Sequence, residues 1–271
     1  MKDIRIAAVV CQSLVGEAED NFHQMTKWVC VAKNSGVELI CFPEMNITGY
    51  SIHKSILGHS EALTGTVVEK LSQLARLENI MILAGIAEKH ENKKKVFASH
   101  LVIRSDGSWK NYRKLHIAPP EKDIFAAGNE IPVFSSRKVK FGIQLCYDAH
   151  FPELSTCMAM RGVDMIFMPH ASPRGTPESK FRSWMRHLPA RAFDNGVFVV
   201  ACNQAGENGE DLKFPGLALV IGPDGKVVQK DVSGKEGLLI ADLKSKDLDA
   251  VREHRMRYFL PNRRPELYTV K

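Results

Sequence analysis

Short continuous apolar runs punctuate the chain, and they constrain its fold more than any other feature. "IRIAAVVCQ", "VELICFPE", "IMILAGIAE", "VKFGIQLCYD", "VDMIFMPHAS", "VFVVACNQAG" and "GLLIADLK" each read as a strand. Many are apolar on both faces, so the sheet that holds them must be covered on both sides. Segments of helical period lie between them. Phe22, Met25, Val29 and Ala32 share one helix face, which Gly36 terminates; Val68, Leu71 and Leu74 do the same in "GTVVEKLSQLARLEN". Further helices are expected at "ELSTCMAMRG", from roughly Ser179 to Asn195, and near "LKSKDLDAVREHRM". Two hairpins are interleaved: "FASHLVIRSDGSWKNYRKL", turning at Asp106-Gly107, and "GLALVIGPDGKVVQK", turning at Pro223-Asp224-Gly225. A single sheet layer leaves the hairpins unaccounted for. The economical expectation is an α/β fold with two stacked sheets between helix layers. No Pro/Gly/Ser linker and no repeat of fixed period divides the chain, which reads as one domain over residues 1–271.

Charge and cysteine usage narrow the function class. The formal charge of +6 is mild, and the short runs Lys93-Lys94-Lys95 and Arg263-Arg264 read as solvated faces. Nucleic-acid binding would need a concentrated basic stripe on a recognisable module, and neither is visible. No segment is long and apolar enough to span a bilayer. The start, "MKDIRIAAVV", enters a strand with no signal-peptide pattern. Of Cys11, Cys30, Cys41, Cys146, Cys157 and Cys202, no two are spaced as C-x-x-C, which removes sequence support for a zinc ribbon or thioredoxin-type site. Most lie in apolar runs, where a reduced thiol packs as a small hydrophobe. That pattern fits a reducing compartment and a cytoplasmic location.

Three strand-like segments end in chemistry. "VELICF" runs into Pro43-Glu44, "WKNYRKL" brings Lys114 and His116, and "VKFGIQL" is followed by Cys146. In sheets covered by helices, ligands tend to sit outside strand ends. Each residue alone has a bland reading: a solvated loop glutamate, an edge lysine that aids solubility, a packed core cysteine. Together they form a chemical set. A thiol is a poor nucleophile while protonated. A carboxylate can take its proton, and an ammonium can favour the thiolate and stabilise an oxyanion. Such a set would attack an amide or nitrile carbon.

"FPEMNITGY", "YRKLHI" and "IQLCYDAHFPE" resemble the three signature regions of the carbon–nitrogen hydrolase (nitrilase/amidase) superfamily. The resemblance extends through "RAFDNGVFVVACNQAG", "PGLALVIGPDGKVV" and the terminal "RRPELY". It implies a four-layer α-β-β-α sandwich and a Glu-Lys-Cys triad on Glu44, Lys114 and Cys146. A second family glutamate, which supports the lysine and positions substrate, matches Glu121 in "PPEKDIFAAGN". Two flanks depart from the family pattern. Ala127 precedes Gly128 where Pro-Gly is frequent, and Leu217-Ala218 follow Gly216 where a serine is frequent. These bear on substrate preference more than on chemistry.

The mechanism that the resemblance implies runs through a thioester on Cys146. Glu44 takes the thiol proton, and Lys114 with the backbone N–H of Tyr147 holds the oxyanion. No metal or organic cofactor is implied, and the other five cysteines keep the core reading. Nitrilases of the family usually carry Cys-Trp-Glu after the strand. Cys146-Tyr147-Asp148, followed by Phe151-Pro152-Glu153, looks like the amidase and carbamoylase branches. The expected substrate is a small linear amide or N-carbamoyl compound, with a nitrile as the alternative. His150, His170 and Arg174 are candidates to touch an anionic substrate group, or are solvated and packing residues. A papain-like pairing of Cys146 with His116 or His170 would leave the Glu and Lys motifs unexplained. A non-catalytic binding protein on the same scaffold would be expected to lose one of the triad. The resemblance also implies a homodimer or higher homo-oligomer, built on the helices after the nucleophile strand and on the C-terminal region. Trp184, Met185, Tyr258 and Phe259 are the local hint, unless they anchor on their own core.

Overall fold

The computed structural model describes residues 1–90 and 94–267. Lys93 of the lysine run and Tyr268 of the terminal motif lie outside the described residues. The first half of the chain contributes β1 (Ile4–Val10), β2 (Leu39–Cys41), β3 (Met81–Lys89), β4 (Val96–Ile103), β5 (Trp109–Arg113) and β6 (Phe125–Ala126). The second half contributes β7 (Phe134–Ser135), β8 (Lys140–Ile143), β9 (Met165–His170), β10 (Phe198–Asn203), β11 (Ala205–Glu207), β12 (Lys213–Pro215), β13 (Ala218–Ile221), β14 (Val227–Asp231) and β15 (Gly237–Leu243). The helices are α1 (Ala18–Asn34), α2 (Thr66–Glu78), α3 (Pro152–Met160), α4 (Pro177–Trp184), α5 (Leu188–Phe193) and α6 (Ser245–Arg252).

One sheet has the order β15-β1-β2-β3-β4-β5, with β6 joining β4, and the other β14-β13-β10-β9-β8-β7. In the first, β1, β2 and β3 are parallel and the β4–β5 hairpin continues the sheet antiparallel. In the second, β8, β9 and β10 are parallel and the β13–β14 hairpin continues it. The two halves therefore share one connectivity, although no sequence repeat announces it. Each hairpin foreseen in the sequence extends a parallel core, which is why one layer could not hold both.

Side-chain alternation along β1 separates the layers. Ala7, Val9 and Cys11 pack with Met25, Val29, Val68 and Leu71 of α1 and α2. Ile6, Ala8 and Val10 face the other way, into the large core that includes Phe141, Phe167 and Val199 of the second sheet. Leu154, Met158, Leu188 and Ala192 of α3 and α5 close that core from outside. The result is the four-layer α-β-β-α sandwich.

Two expectations need correction. The helix expected over Ser179–Asn195 is two helices, α4 and α5. Pro189 has no N–H to continue a helix, and it sits in the first turn of α5, where none is needed. The core reading also fails for two cysteines: Cys157 is exposed on α3 and Cys30 only half-buried on α1, while Cys11, Cys41 and Cys202 are buried. A helix turns some of its residues outward whatever their polarity. No helix among the described residues is long and apolar enough to cross a membrane.

Candidate active site

The parallel strands β2 and β8 and the hairpin strand β5 deliver Glu44, Cys146 and Lys114 just beyond their ends. The turn that carries Glu44 is pinned to β3. Asn46 Oδ1 accepts from Gly85 N at 2.7 Å, Ile47 N donates to Gly85 O at 3.0 Å, and Thr48 Oγ accepts from Ala87 N at 2.9 Å. Gly85 allows the approach: a Cβ there would collide with Met45 N and lie 2.9 Å from Met45 Cα. Met45 itself takes φ +55°. From the second sheet, Gln204 Nε2 donates to Glu44 O at 2.8 Å. The sequence "PEMNIT" thus encodes a buried, fully tied turn and not a solvated loop.

Glu44, Lys114 and Glu121 are all buried. Lys114 Nζ donates to Glu44 Oε1 at 2.9 Å and to Glu121 Oε1 at 2.8 Å. The remaining acceptors are filled. Ala171 N, just past β9, donates to Glu44 Oε2 at 3.0 Å. Tyr50 OH donates to Glu121 Oε1 at 2.8 Å, and Ala118 N to Glu121 Oε2 at 2.9 Å. Two carboxylates against one ammonium leave an excess negative charge in a buried site. Burial, helped by Glu121 and resisted by Lys114, pushes the Glu44 carboxyl up to about 7. Burial works against the charge of Lys114, but the two carboxylates outweigh it and hold the ammonium above its ordinary range. A carboxylate that titrates near neutrality beside a permanently charged lysine is suited to moving a proton.

Cys146 follows β8 with φ +45°, a left-handed backbone that non-glycine residues seldom adopt. Burial and then the negative charge of Glu44 push its thiol well up, against Lys114. The resting sulfur is therefore a protonated thiol that needs a base. Asp148 is completely buried and braces this turn. Its Oδ2 accepts from Leu145 N at 3.0 Å and from Tyr112 OH at 2.7 Å, and its Oδ1 accepts from His116 N at 2.8 Å. His116 Nδ1 lies 2.8 Å from the same Oδ1. Tyr112 and His116 flank Lys114 in sequence, so one carboxylate binds the cysteine turn to both sides of the lysine.

The other expected site residues divide. Tyr147 is half-buried, its ring edge-on to Phe151 at 5.5 Å. His150 is exposed and stacks on His187 at 4.4 Å. His170 is buried, its ring 4.4 Å from Trp184 and its Nδ1 2.6 Å from Met168 O. Burial drives its ionisation well down, so His170 is a neutral packing residue. Arg174 is exposed with φ +70°. Three participants escaped the sequence reading. Tyr50 closes "FPEMNITGY", where nothing marks it as a partner of Glu121, and the Ala171 N–H carries no side-chain signal. Lys180 on α4 looks like a helix-surface lysine, yet it is half-buried and close enough to Cys146 to favour its thiolate form.

Comparison with known proteins identifies the family. Residues 5–253 match the family described as carbon-nitrogen hydrolase. A probable nitrilase of Schizosaccharomyces pombe is 31% identical over 270 residues, which is 97% of this chain and 96% of that protein. The crystal structure of an amidase from Nesterenkonia sp. aligns with a TM-score of 0.84 at 25% identity, over 98% of this chain and 95% of the other. A glutamate-to-glutamine mutant of the amidase from Nesterenkonia sp. AN1, also 25% identical with a TM-score of 0.83 over 98% and 95% of the two chains, carries the acetamide moiety of fluoroacetamide added covalently at its active-site cysteine. Matched over nearly its whole length, this chain belongs to the carbon–nitrogen hydrolase family.

Proposed function

We propose that the protein hydrolyses a small linear amide or N-carbamoyl compound, with Cys146 as nucleophile. The observation that carries this reading is Cys146 on a left-handed turn past the end of β8, with a buried Glu44-Lys114-Glu121 set held together at 2.9 and 2.8 Å. Ionised Glu44 takes the Sγ proton as sulfur attacks the carbonyl carbon. The carbonyl π pair moves to oxygen, where Lys114 and the Tyr147 N–H stabilise it. Collapse expels the amine with the proton from Glu44 and leaves a thioester. Water, deprotonated by Glu44, attacks the thioester, and the thiol leaves with that proton. Glu121 holds Lys114 and limits where substrate can lie.

The amide preference rests on Cys146-Tyr147-Asp148 and on the amidase likeness; the nitrilase relative favours a nitrile as the second reading. The proposal includes a cytoplasmic enzyme of one domain over residues 1–271. It also includes a homo-oligomer, with a changed local basis. Trp184 is buried, and Met185 and Tyr258 are half-buried and pack on the core, so they anchor their own subunit. Phe193 and Phe259 are each 40% exposed with rings 5.4 Å apart, and they support a contact through α5 and the C-terminal region.

The deciding experiment incubates the purified protein with matched amides, carbamoyl compounds and nitriles and measures product release, with intact-mass detection of an adduct on Cys146. Amide turnover that Cys146→Ala abolishes is the expected result. An unreactive Cys146, or turnover that survives its loss, would overturn the reading. Light scattering at micromolar concentration tests the oligomer, and a monomer mass contradicts it.

A further inference from the structure

Among the described residues, Lys180 forms no ion pair. Its Nζ donates to Ser172 Oγ at 2.8 Å and to Pro173 O at 3.0 Å, and both acceptors are neutral. A lysine ammonium has three N–H donors, and these two bonds leave the third directed to solvent or to a ligand. Half-burial works against its charge, and both the Cys146 thiol and the His170 ring lie close enough to be coupled to it electrostatically. Half-buried charges are normally paired, and this one lies beside the nucleophile.

Its anchor is built into the site. Ala171 and Ser172 are consecutive: Ala171 N donates to Glu44 Oε2 at 3.0 Å, while Ser172 Oγ receives the Lys180 ammonium. Ser172 is itself clamped to the end of β10, its N donating to Asn203 Oδ1 at 2.8 Å and its O accepting from Asn203 Nδ2 at 3.1 Å. One short segment thus fixes both the carboxylate expected to move protons and an unpaired ammonium. Glu44 and Glu121 outnumber Lys114, so a second anion entering this region would be repelled unless another cation received it. The other candidates for that task are spent or turned to solvent. His170 is neutral and packed on Trp184, His116 is paired with Asp148, and Arg174 is exposed.

We propose that Lys180 binds a carboxylate on the substrate, so that the preferred substrates are small amides or carbamoyl compounds that carry an acid group beside the scissile carbonyl. The spare N–H makes a charge-assisted hydrogen bond to that carboxylate, and the bound acid neutralises the uncompensated ammonium. This rests on the amide-hydrolase reading and adds the substrate class to it.

The test uses nearly isosteric pairs that differ by the acid group: succinamate with butyramide, glutaramate with pentanamide, and N-carbamoylglycine with N-ethylurea. The unmodified enzyme should favour at least one acid by about tenfold or more in kcat/KM, the size of one hydrogen bond to a charged group. Lys180→Met should remove that preference, bringing the acid-to-neutral ratio of kcat/KM towards one, mainly through KM on the acid. Lys180→Arg should keep part of the preference, because the charge remains while the geometry changes. Neutral amides turned over as well as their acids by the unmodified enzyme would overturn the proposal while the amide-hydrolase reading stands. Equal loss on both members of a pair in Lys180→Met would also overturn it, because the lysine would then act on the chemistry and not on selection. If no member of any pair is hydrolysed, the hydrolase reading itself fails. The preference of the unmodified enzyme decides the matter even if a variant does not fold.

Discussion

Tyr112 OH lies 2.7 Å from Asp148 Oδ2, and this one buried bond joins the strand of Lys114 to the turn of Cys146. The two residues are not expected to touch substrate. They fix the distance between two groups that are. Tyr112→Phe removes one of several donors to Asp148, and a loss of about 1–2 kcal/mol in stability is expected. Asp148→Asn sets an amide N–H against the Leu145 N–H and should cost more. A purely structural role would stop there. If the bond positions the site, alkylation of Cys146 by fluoroacetamide should also slow in folded Tyr112→Phe, by about tenfold. An unchanged alkylation rate would limit Tyr112 to stability.

Glu44 sets the expected pH dependence. Its carboxyl rises from an ordinary 4.5 to about 7, chiefly through burial. The ionised form is the base, so kcat/KM should fall as pH drops below about 7. Stability has the opposite sign. The folded state holds this proton more tightly than the unfolded chain does. The contribution is fully present below 4.5 and is lost as pH rises through about 7. Glu44→Gln should abolish turnover and flatten that part of the melting-temperature profile. An acid limb near 4.5 would mean that the site leaves Glu44 unperturbed.

Gly85 is predicted to be intolerant of a single methyl. A Cβ there meets the backbone of Glu44 and Met45, neither of which can rotate away. Gly85→Ala should cost about 1–3 kcal/mol from overpacking. Because the displaced residue is the base, activity should fall by more than about tenfold even where the variant stays folded. Denaturant unfolding and kcat/KM on one sample separate the two effects.

The legible part of the site was the part that strand patterning exposes. Glu44, Lys114 and Cys146 stand out because each follows a run whose alternation or continuity marks a strand, and a reactive side chain at such an end is visible locally. Glu121 ends a single 3-10 turn (Pro119–Glu121) that has no periodicity to read, and it was reached through the family motif alone. Lys180 and Tyr112 were not legible. A lysine near a helix start looks solvated, and a tyrosine in a hairpin strand looks like packing, until the second sheet supplies their neighbours. The same limit explains Cys157: its apolar segment suggested a core, and only helix phase decides which way it points. The duplicated connectivity of the sheets was invisible because it lies in strand order, which two diverged sequences can share.

Cys146 provides the sharpest separation of stability from activity. At φ +45° it occupies a conformation that costs an L-residue about 1–2 kcal/mol and glycine almost nothing. At an ordinary position alanine is more stable than glycine by about 0.5–1 kcal/mol, through the entropy of the unfolded chain. Here the left-handed cost should cancel or reverse that order. Cys146→Gly should therefore be at least as stable as Cys146→Ala, and both should be inactive because both lack sulfur. Thermal unfolding of the two variants, alongside their turnover of an amide accepted by the unmodified enzyme, checks the two statements together. An alanine variant more stable than the glycine variant by about 1 kcal/mol would show that the turn relaxes once the thiol is gone. Strain that persists in the alanine variant would place its origin in the Asp148 brace and the end of β8, which hold the turn whether or not a nucleophile is present.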